Sequence, residues 1–356
     1  MYMKKVAVVT CYKQPDYVRA VVLRQAIAHL SGVELHVVKN THLSVLRYFE
    51  VLWRVAKLRL LSNPDTYIIT FRGYEILPFM RLLCLGKRLI YDELVNPIAW
   101  ATREHGKLPS TGVLSWVGRQ LYKLTLAGNV QILADTPQHA AYSAKVTGLP
   151  LGRFTVVPVG TDEATFKLPT KKQTVSRSGF KVFYYGNMLP LHGIGYVCQA
   201  AEILAKRGKD IEFVLVGGGV ETEHTIKQSV EKGALITYER WVDYKKLTNY
   251  IYQSSVCLGG PFGVTEQSAV VVTGKAYQFI ACGAPTVVGE IPDQTLFKDK
   301  DNCLLVKRGS AKSIADALLW AYEHPKQLQL IGQSGRKLYE KHFTSSQIAK
   351  ILEPLI

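Results

Sequence analysis

The chain has 356 residues, 47% hydrophobic and 20% charged, with 44 Lys and Arg against 28 Asp and Glu and a formal net charge of +16. That composition excludes a disordered or fibrous chain and gives length for a large core, two domains being expected over one. No apolar run approaches the ~18–20 residues needed to span a bilayer, and the opening MYMKKVAVVT is too short and poorly flanked for a secretory signal.

The charge is unevenly spread: residues 1–160 carry 20 basic and 9 acidic side chains, the remainder 24 and 19. The first half is therefore expected to meet something anionic, whether nucleic acid, an acidic membrane surface or a lipid phosphate. Nucleic acid is disfavoured, because no interleaved aromatic RNA motif, zinc spacing or basic helical arm accompanies the charge. Six cysteines (Cys11, Cys84, Cys198, Cys257, Cys282, Cys303) lie far apart without a CxxC pair, which predicts free thiols and a reducing, cytoplasmic setting.

From Lys4 onward, short β-branched runs alternate with longer amphipathic stretches, the pattern of parallel α/β layers. Strands are predicted at Val6–Thr10, Val33–Val38, Tyr67–Phe71, Leu89–Tyr91, Val130–Leu133 and Phe154–Val159. Helices are predicted at Tyr17–Leu30, Leu43–Leu61, Ser115–Leu126 and Thr136–Val146. The Leu43–Leu61 helix places Arg47, Arg54 and Lys57 on one face beside aromatic mass, which suits either an anionic membrane surface or a solvated helix side. Leu89–Tyr91 runs into Asp92-Glu93, a strand-end cap or a pair of reacting carboxylates. Arg103, Glu104 and His105 in the next loop suit a cleft or solvent equally.

The polar stretch Thr161–Ser178, containing KKQTVSRS, reads as a linker. Alternation restarts with strands at Val182–Tyr185, Phe213–Val216, Leu235–Tyr238, Val256–Gly259, Thr286–Val288 and Cys303–Val306. Helices between and after them are predicted at Tyr196–Arg207, Glu223–Lys232, Tyr244–Gln253, Ala311–Glu323, Pro325–Lys341 and Ser345–Leu352. This divides the chain into residues 1–160, 161–341 and a closing helical piece, 342–356. Ligands of such sheets bind at the carboxyl ends of strands. Three glycine-bearing loops fall there in the second half: Gly186 to Gly193, Gly217 to Gly219, and Phe262-Gly263. A helix opening near Thr273-Gly274-Lys275 adds a positive dipole end and an ammonium, a phosphate site or an ordinary crossover with a surface lysine.

These segments, YYGNMLPLHGIGYVCQAAEILAKRGKDIEFVLVGGG and GKAYQFIACGAPTVVG, with RLIYDELVN and FTVVPVGTDEATF before them, resemble glycosyltransferase family 4 over nearly the whole chain. The resemblance implies the α/β GT-B fold: two tandem Rossmann-like doubly wound parallel-sheet domains with a cleft between them, and a final helix crossing back to the first. It implies transfer of a sugar from a UDP- or GDP-linked donor to a hydroxyl of a glycan or lipid-linked acceptor. Retention is implied, with no cofactor and no metal, in surface polysaccharide or glycolipid synthesis. By resemblance the donor contacts are Gly186, Asn187, His192, Gly193, Gly217, Arg240, Glu266, Lys275 and Gln278. Asp92 and Glu93 stand where the family often has a histidine and would face the acceptor as catalytic groups, while Arg47, Arg54 and Lys57 would meet membrane or acceptor, placing the protein in the cytoplasm or on the inner face of the plasma membrane. The chain departs from the family in holding Asn187 and His192 where Arg and Lys are usual, and Val270 and Gln278 where two glutamates stand eight apart. An epimerase of the same fold and a nucleotide-binding pseudoenzyme are the alternatives.

Overall fold

A computed structural model of the chain describes residues 3–104, 109, 112–169 and 179–356. His105 and the KKQTVSRS segment lie outside the described residues. The chain divides into two compact units, Met1–Gly160 with Thr344–Ile356, and Thr161–Phe343.

In the first unit the β-branched runs form strands β1 (Lys4–Thr10), β2 (Val33–Lys39), β3 (Thr66–Ile69), β4 (Arg88–Asp92), β5 (Val130–Ala134) and β6 (Phe154–Val156). They form one parallel sheet in the order β2-β1-β3-β4-β5-β6. Helices α1 (Val18–Ala28), α2 (Leu46–Leu61), α3 (Leu77–Leu83), α4 (Pro97–Ala99), α5 (Val113–Thr125) and α6 (Pro137–Thr147) make the crossovers. Alternate strand residues point to opposite faces. Val6, Val8, Ile68, Ile90 and Leu133 therefore pack with α1 and the C-terminal segment, whereas Ala7, Val9, Tyr67, Ile69 and Ile132 pack with α2, α3 and α5. The Thr136 hydroxyl accepts from the His139 N–H and caps α6, with Pro137 behind it as first helical residue.

The second unit repeats the plan with β7 (Phe180–Tyr185), β8 (Ile211–Val216), β9 (Ile236–Glu239), β10 (Val256–Gly260), β11 (Thr286–Gly289) and β12 (Leu304–Val306). Its helices are α7 (Ile194–Lys206), α8 (Val220–Glu231), α9 (Leu247–Gln253), α10 (Gly274–Ala281), α11 (Ala311–Glu323) and α12 (Pro325–His342). Helix α13 (Ser345–Leu352) returns to the first unit, where Ile348 and Leu352 bury beside Leu23 and Ile27 of α1. The second sheet runs β12-β11-β10-β7-β8-β9, all parallel. Crossovers leave β7 toward β8 on one side, and the later strands fill the other side starting from β10. The loops after β7 and β10 consequently diverge and open a crevice at their carboxyl ends, where doubly wound sheets hold nucleotides.

Candidate active site

At that crevice the three glycine loops lock together. The Gly186 N–H donates to Val216 O at 3.0 Å, and the Gly263 N–H to Leu191 O at 3.0 Å. Two positions require glycine for both space and backbone. Gly217 has φ +102°, and a Cβ there would lie 2.2 Å from Gly186 O; Gly193 has φ +64°, and its Cβ would lie 2.6 Å from Gly263 N. Gly193→Ala is expected to destabilise the second unit by ~1–3 kcal/mol through strain and overpacking, read by chemical denaturation; an unchanged midpoint would show that the loops yield.

Lys275 stands in the first turn of α10 and is buried. Its Nζ lies 3.2 Å from where a Gly186 Cβ would be and 5.3 Å from the centre of the Tyr184 ring. Burial pulls the ammonium down to about 7. No carboxylate pairs with it among the described residues, so no opposite charge there offsets its desolvation. The His192 ring approaches the same point, with Cε1 3.5 Å from the Gly186 Cβ position. Its Nδ1 is buried without a hydrogen-bond partner. Burial first, and the Lys275 charge second, push the imidazole well below its ordinary value and keep it neutral. The Thr273 hydroxyl before α10 donates to Gly259 O and leaves the first N–H groups of the helix uncapped by a side chain. An unpaired ammonium, an unpartnered imidazole nitrogen and a helix amino end thus converge at one place, an arrangement suited to an anion.

The remaining predicted donor residues are less uniform. Gln278 is buried with its amide oxygen accepting from the Tyr185 hydroxyl and its Nε2 donating to Tyr244 Oη at 3.4 Å. One of the two lone pairs of that amide oxygen is therefore engaged within the chain. Asn187 follows Gly186 in the crevice loop; Arg240, Trp241 and Glu266 are exposed. Val270 ends the short turn Gln267–Ala269. Sequence reasoning missed Arg308, whose NH1 donates to Ser268 Oγ at 2.8 Å and whose Nε donates to Glu290 O at 2.8 Å. It braces the loop after β10, and the bare Lys-Arg-Gly after a strand gave no sign of that.

Both predicted catalytic carboxylates are fully buried and bonded within the chain. Asp92 Oδ1 accepts from Arg19 Nε at 3.0 Å and NH2 at 2.9 Å, a pair with no solvent exposure on either side. Burial raises the Asp92 carboxyl above its ordinary value against the pull of Arg19. Glu93 accepts from the hydroxyls of Tyr122 and Ser143 and lies 3.5 Å from His139 Nε2. His139 Nδ1 meets Asp135 at 2.6 Å. Burial lowers that imidazole, but Asp135 and Glu93 outweigh it and hold it up at about 10. These groups knit the carboxyl ends of β4 and β5 to α6, while Asp92 Oδ2 is buried without a hydrogen-bond partner.

The basic trio on α2 also separates. Arg47 reaches Glu75 at 3.5 Å, while Arg54 bonds Glu50 at 2.7 Å and Lys39 O at 2.9 Å. Lys57 alone of the three is exposed, its Nζ 5.4 Å from the centre of the Trp53 ring. Two of the three expected surface charges are thus committed within the chain.

Residues 179–324 match the family model described as Glycosyl transferases group 1. Among solved structures, sucrose-phosphate synthase from Thermosynechococcus elongatus is similar with a TM-score of 0.75 and 15% identity, covering 99% of this chain and 98% of that one. HepE from Anabaena, solved with UDP-glucose, is similar with a TM-score of 0.72 and 13% identity over 99% of both chains. A variant of S. aureus TarM, solved with Fondaparinux, alpha-GlcNAc-glycerol and UDP, gives a TM-score of 0.64 and 14% identity over 86% of this chain and 59% of that one. None of the curated proteins matches by sequence. Identities this low speak for fold alone: the chain has the GT-B fold of these glycosyltransferases, and its residues 179–324 match the model of the glycosyl transferases group 1 family.

Proposed function

We propose that the protein transfers a sugar from a UDP-sugar to a hydroxyl of a glycan or lipid-linked acceptor. The observation that carries this reading is the unpaired, buried Lys275 ammonium beside His192 at the β7/β10 crevice. UDP is chosen over GDP because HepE and TarM were solved with UDP ligands. The diphosphate lies against Lys275, His192 and the amino end of α10; the ammonium and the helix dipole supply the positive charge otherwise asked of a metal ion, and the neutral imidazole offers a ring N–H. Transfer proceeds with retention. The bond from the anomeric carbon to the phosphate oxygen breaks, the bond to the acceptor oxygen forms, and the acceptor proton passes to the departing phosphate oxygen. No separate base is required, in keeping with the enclosure of Asp92 and Glu93.

In the first unit the sheet order reverses between β1 and β3, the crevice position there. Phe71, just past β3, lies with its ring 5.2 Å from Tyr12 and 5.6 Å from Tyr17 of the loop after β1. Such a group of apolar rings suits the faces of an acceptor sugar. The biological setting proposed is surface polysaccharide or glycolipid synthesis.

A thermal-shift panel of UDP-, GDP- and ADP-sugars tests the donor. UDP compounds at ~100 times Kd should add ~2.7 kcal/mol to stability, and no shift with any member would contradict the reading. Binding with donor consumption in the absence of acceptor would point to an epimerase, and binding without turnover to a pseudoenzyme.

A further inference from the structure

An amphipathic helix on a sheet buries one stripe and shows water a polar one; three helices of the first unit break that rule side by side. On α2, Leu46, Phe49, Trp53 and Leu60 recur at helical spacing with Lys57 among them, all on the exposed side, whereas Val51 and Val55 fill the core. Trp53 is 64% exposed and Leu60 85%. Helix α3 shows Phe79 and Leu82, with Leu85 just beyond it. On α5, Leu114, Trp116, Val117, Leu121 and Leu124 are all exposed. The three helices cover the same face of the sheet, since Val55, Leu77, Met80 and Tyr122 share one core cluster. They are also stitched in that order: Arg59 of α2 donates to Leu85 O at 3.1 Å, and Arg81 of α3 donates to Leu124 O at 2.8 Å. Exposed apolar side chains thus recur on three helices of one sheet face rather than as scattered single residues, and such groupings mark an interaction site.

We infer that the first unit docks by the outer face of α2, α3 and α5 into the headgroup–acyl boundary of a bilayer containing acidic lipids. Charge selects this occupant. The three helices carry seven Lys and Arg and a single acidic residue, Glu50. A second copy seated on the same face would bring like charges together across a two-fold axis. Protein interface cores, moreover, are depleted in lysine, whereas Lys57 sits in the middle of the α2 stripe. An acidic bilayer receives both parts: rings and leucines enter the boundary, and the cations reach back to headgroup phosphates. Beside Leu85 the surface opens into a groove of about 1170 Å³ lined by Lys4, Arg81, Lys87 and Arg88 against Asp65 and Glu353, which extends the cationic rim. Among the described residues no helix is long and apolar enough to cross a membrane, so the mode is interfacial. This differs from attraction by a basic helix alone, because Arg47 and Arg54 are internally paired and the apolar stripe supplies the anchor.

Flotation of the full chain with phosphatidylcholine vesicles, with and without phosphatidylglycerol, tests the inference. The parent chain should partition onto the acidic vesicles, and salt at ~1 M, where screening acts over ~3 Å, should weaken binding without abolishing it. Trp53→Ser with Leu121→Ser should reduce partition on the order of 10-fold for each side chain removed from the boundary. The independent pair Leu114→Ser with Leu124→Ser on α5 should act likewise. These positions are exposed, so unchanged thermal melts and unchanged UDP binding serve as controls. Parent and both variants partitioning alike, or no partition on either vesicle, would overturn the inference. So would sedimentation showing a parent dimer that the serine variants dissolve, which would assign the face to protein.

Discussion

Replacing Lys275 with alanine is expected to raise the Kd for UDP by ~10- to 100-fold, because a charge-assisted hydrogen bond to a buried anion contributes ~1.5–3 kcal/mol. Isothermal calorimetry measures it directly; equal affinity for the two chains would return Lys275 to the role of a buried lysine without a ligand. The same residue makes stability depend on pH. Its folded-state value near 7 lies below the ordinary 10.5, so between these limits the unfolded chain holds the extra proton. Stability of the second unit without nucleotide should therefore rise as pH increases from about 7 toward 10.5. In Lys275→Ala that rise should vanish, since the titrating group is gone. The substitution also relieves an unfavourable burial, so the variant should be no less stable than the parent at pH 7 while binding UDP worse. A residue conserving structure alone would show the opposite pairing.

Arg19→Met is expected to destabilise the first unit by ~3–5 kcal/mol, because it strands the Asp92 carboxylate without its partner. Asp92→Asn, which keeps the shape and removes the charge, should cost stability in the same unit by leaving Arg19 unneutralised. Urea denaturation followed on both variants gives the magnitudes. The informative second reading is turnover per folded molecule. If Asp92 braces β4, folded Asp92→Asn retains kcat and KM near the parent values. A selective fall in kcat with full stability would return Asp92 to contact with the reacting groups.

Much of this architecture is legible in the amino-acid order because local patterns suffice for it. The run Ala311–Glu323 is a helix with the predicted ends, capped where Ser310 accepts from the Ser313 N–H. Of the adjacent Asp135 and Thr136, either of which suits a cap by residue type, Thr136 caps α6 and Asp135 pairs with His139. Helix α3 escapes detection, since Pro78 in its first turn and Gly86 just past it read as loop punctuation. Lys275 is visible as a candidate because a lysine at a helix opening has a local signature. Its burial, and its meeting with His192 across the β7 loop, follow from a sheet order no single segment contains. The same limit explains Asp92. A strand-end carboxylate looks available in one dimension, and only the return of α1 reveals Arg19, itself read as an ordinary residue of a helix. On α2 the basic residues stand out in the sequence, whereas the exposure of Phe49, Trp53 and Leu60 depends on which stripe the sheet takes.

The most direct test of the donor site is titration of the unmodified chain with UDP between pH 7.5 and ~9, in buffers of different ionisation enthalpy. A bound diphosphate holds Lys275 protonated, so binding above its free value near 7 must take up a proton. Affinity should then fall as pH rises, by at most ~10-fold per pH unit, with measured proton uptake approaching one. Binding that is absent at saturating UDP, or that is independent of pH with no proton uptake, would contradict the assignment of the diphosphate to the Lys275 crevice.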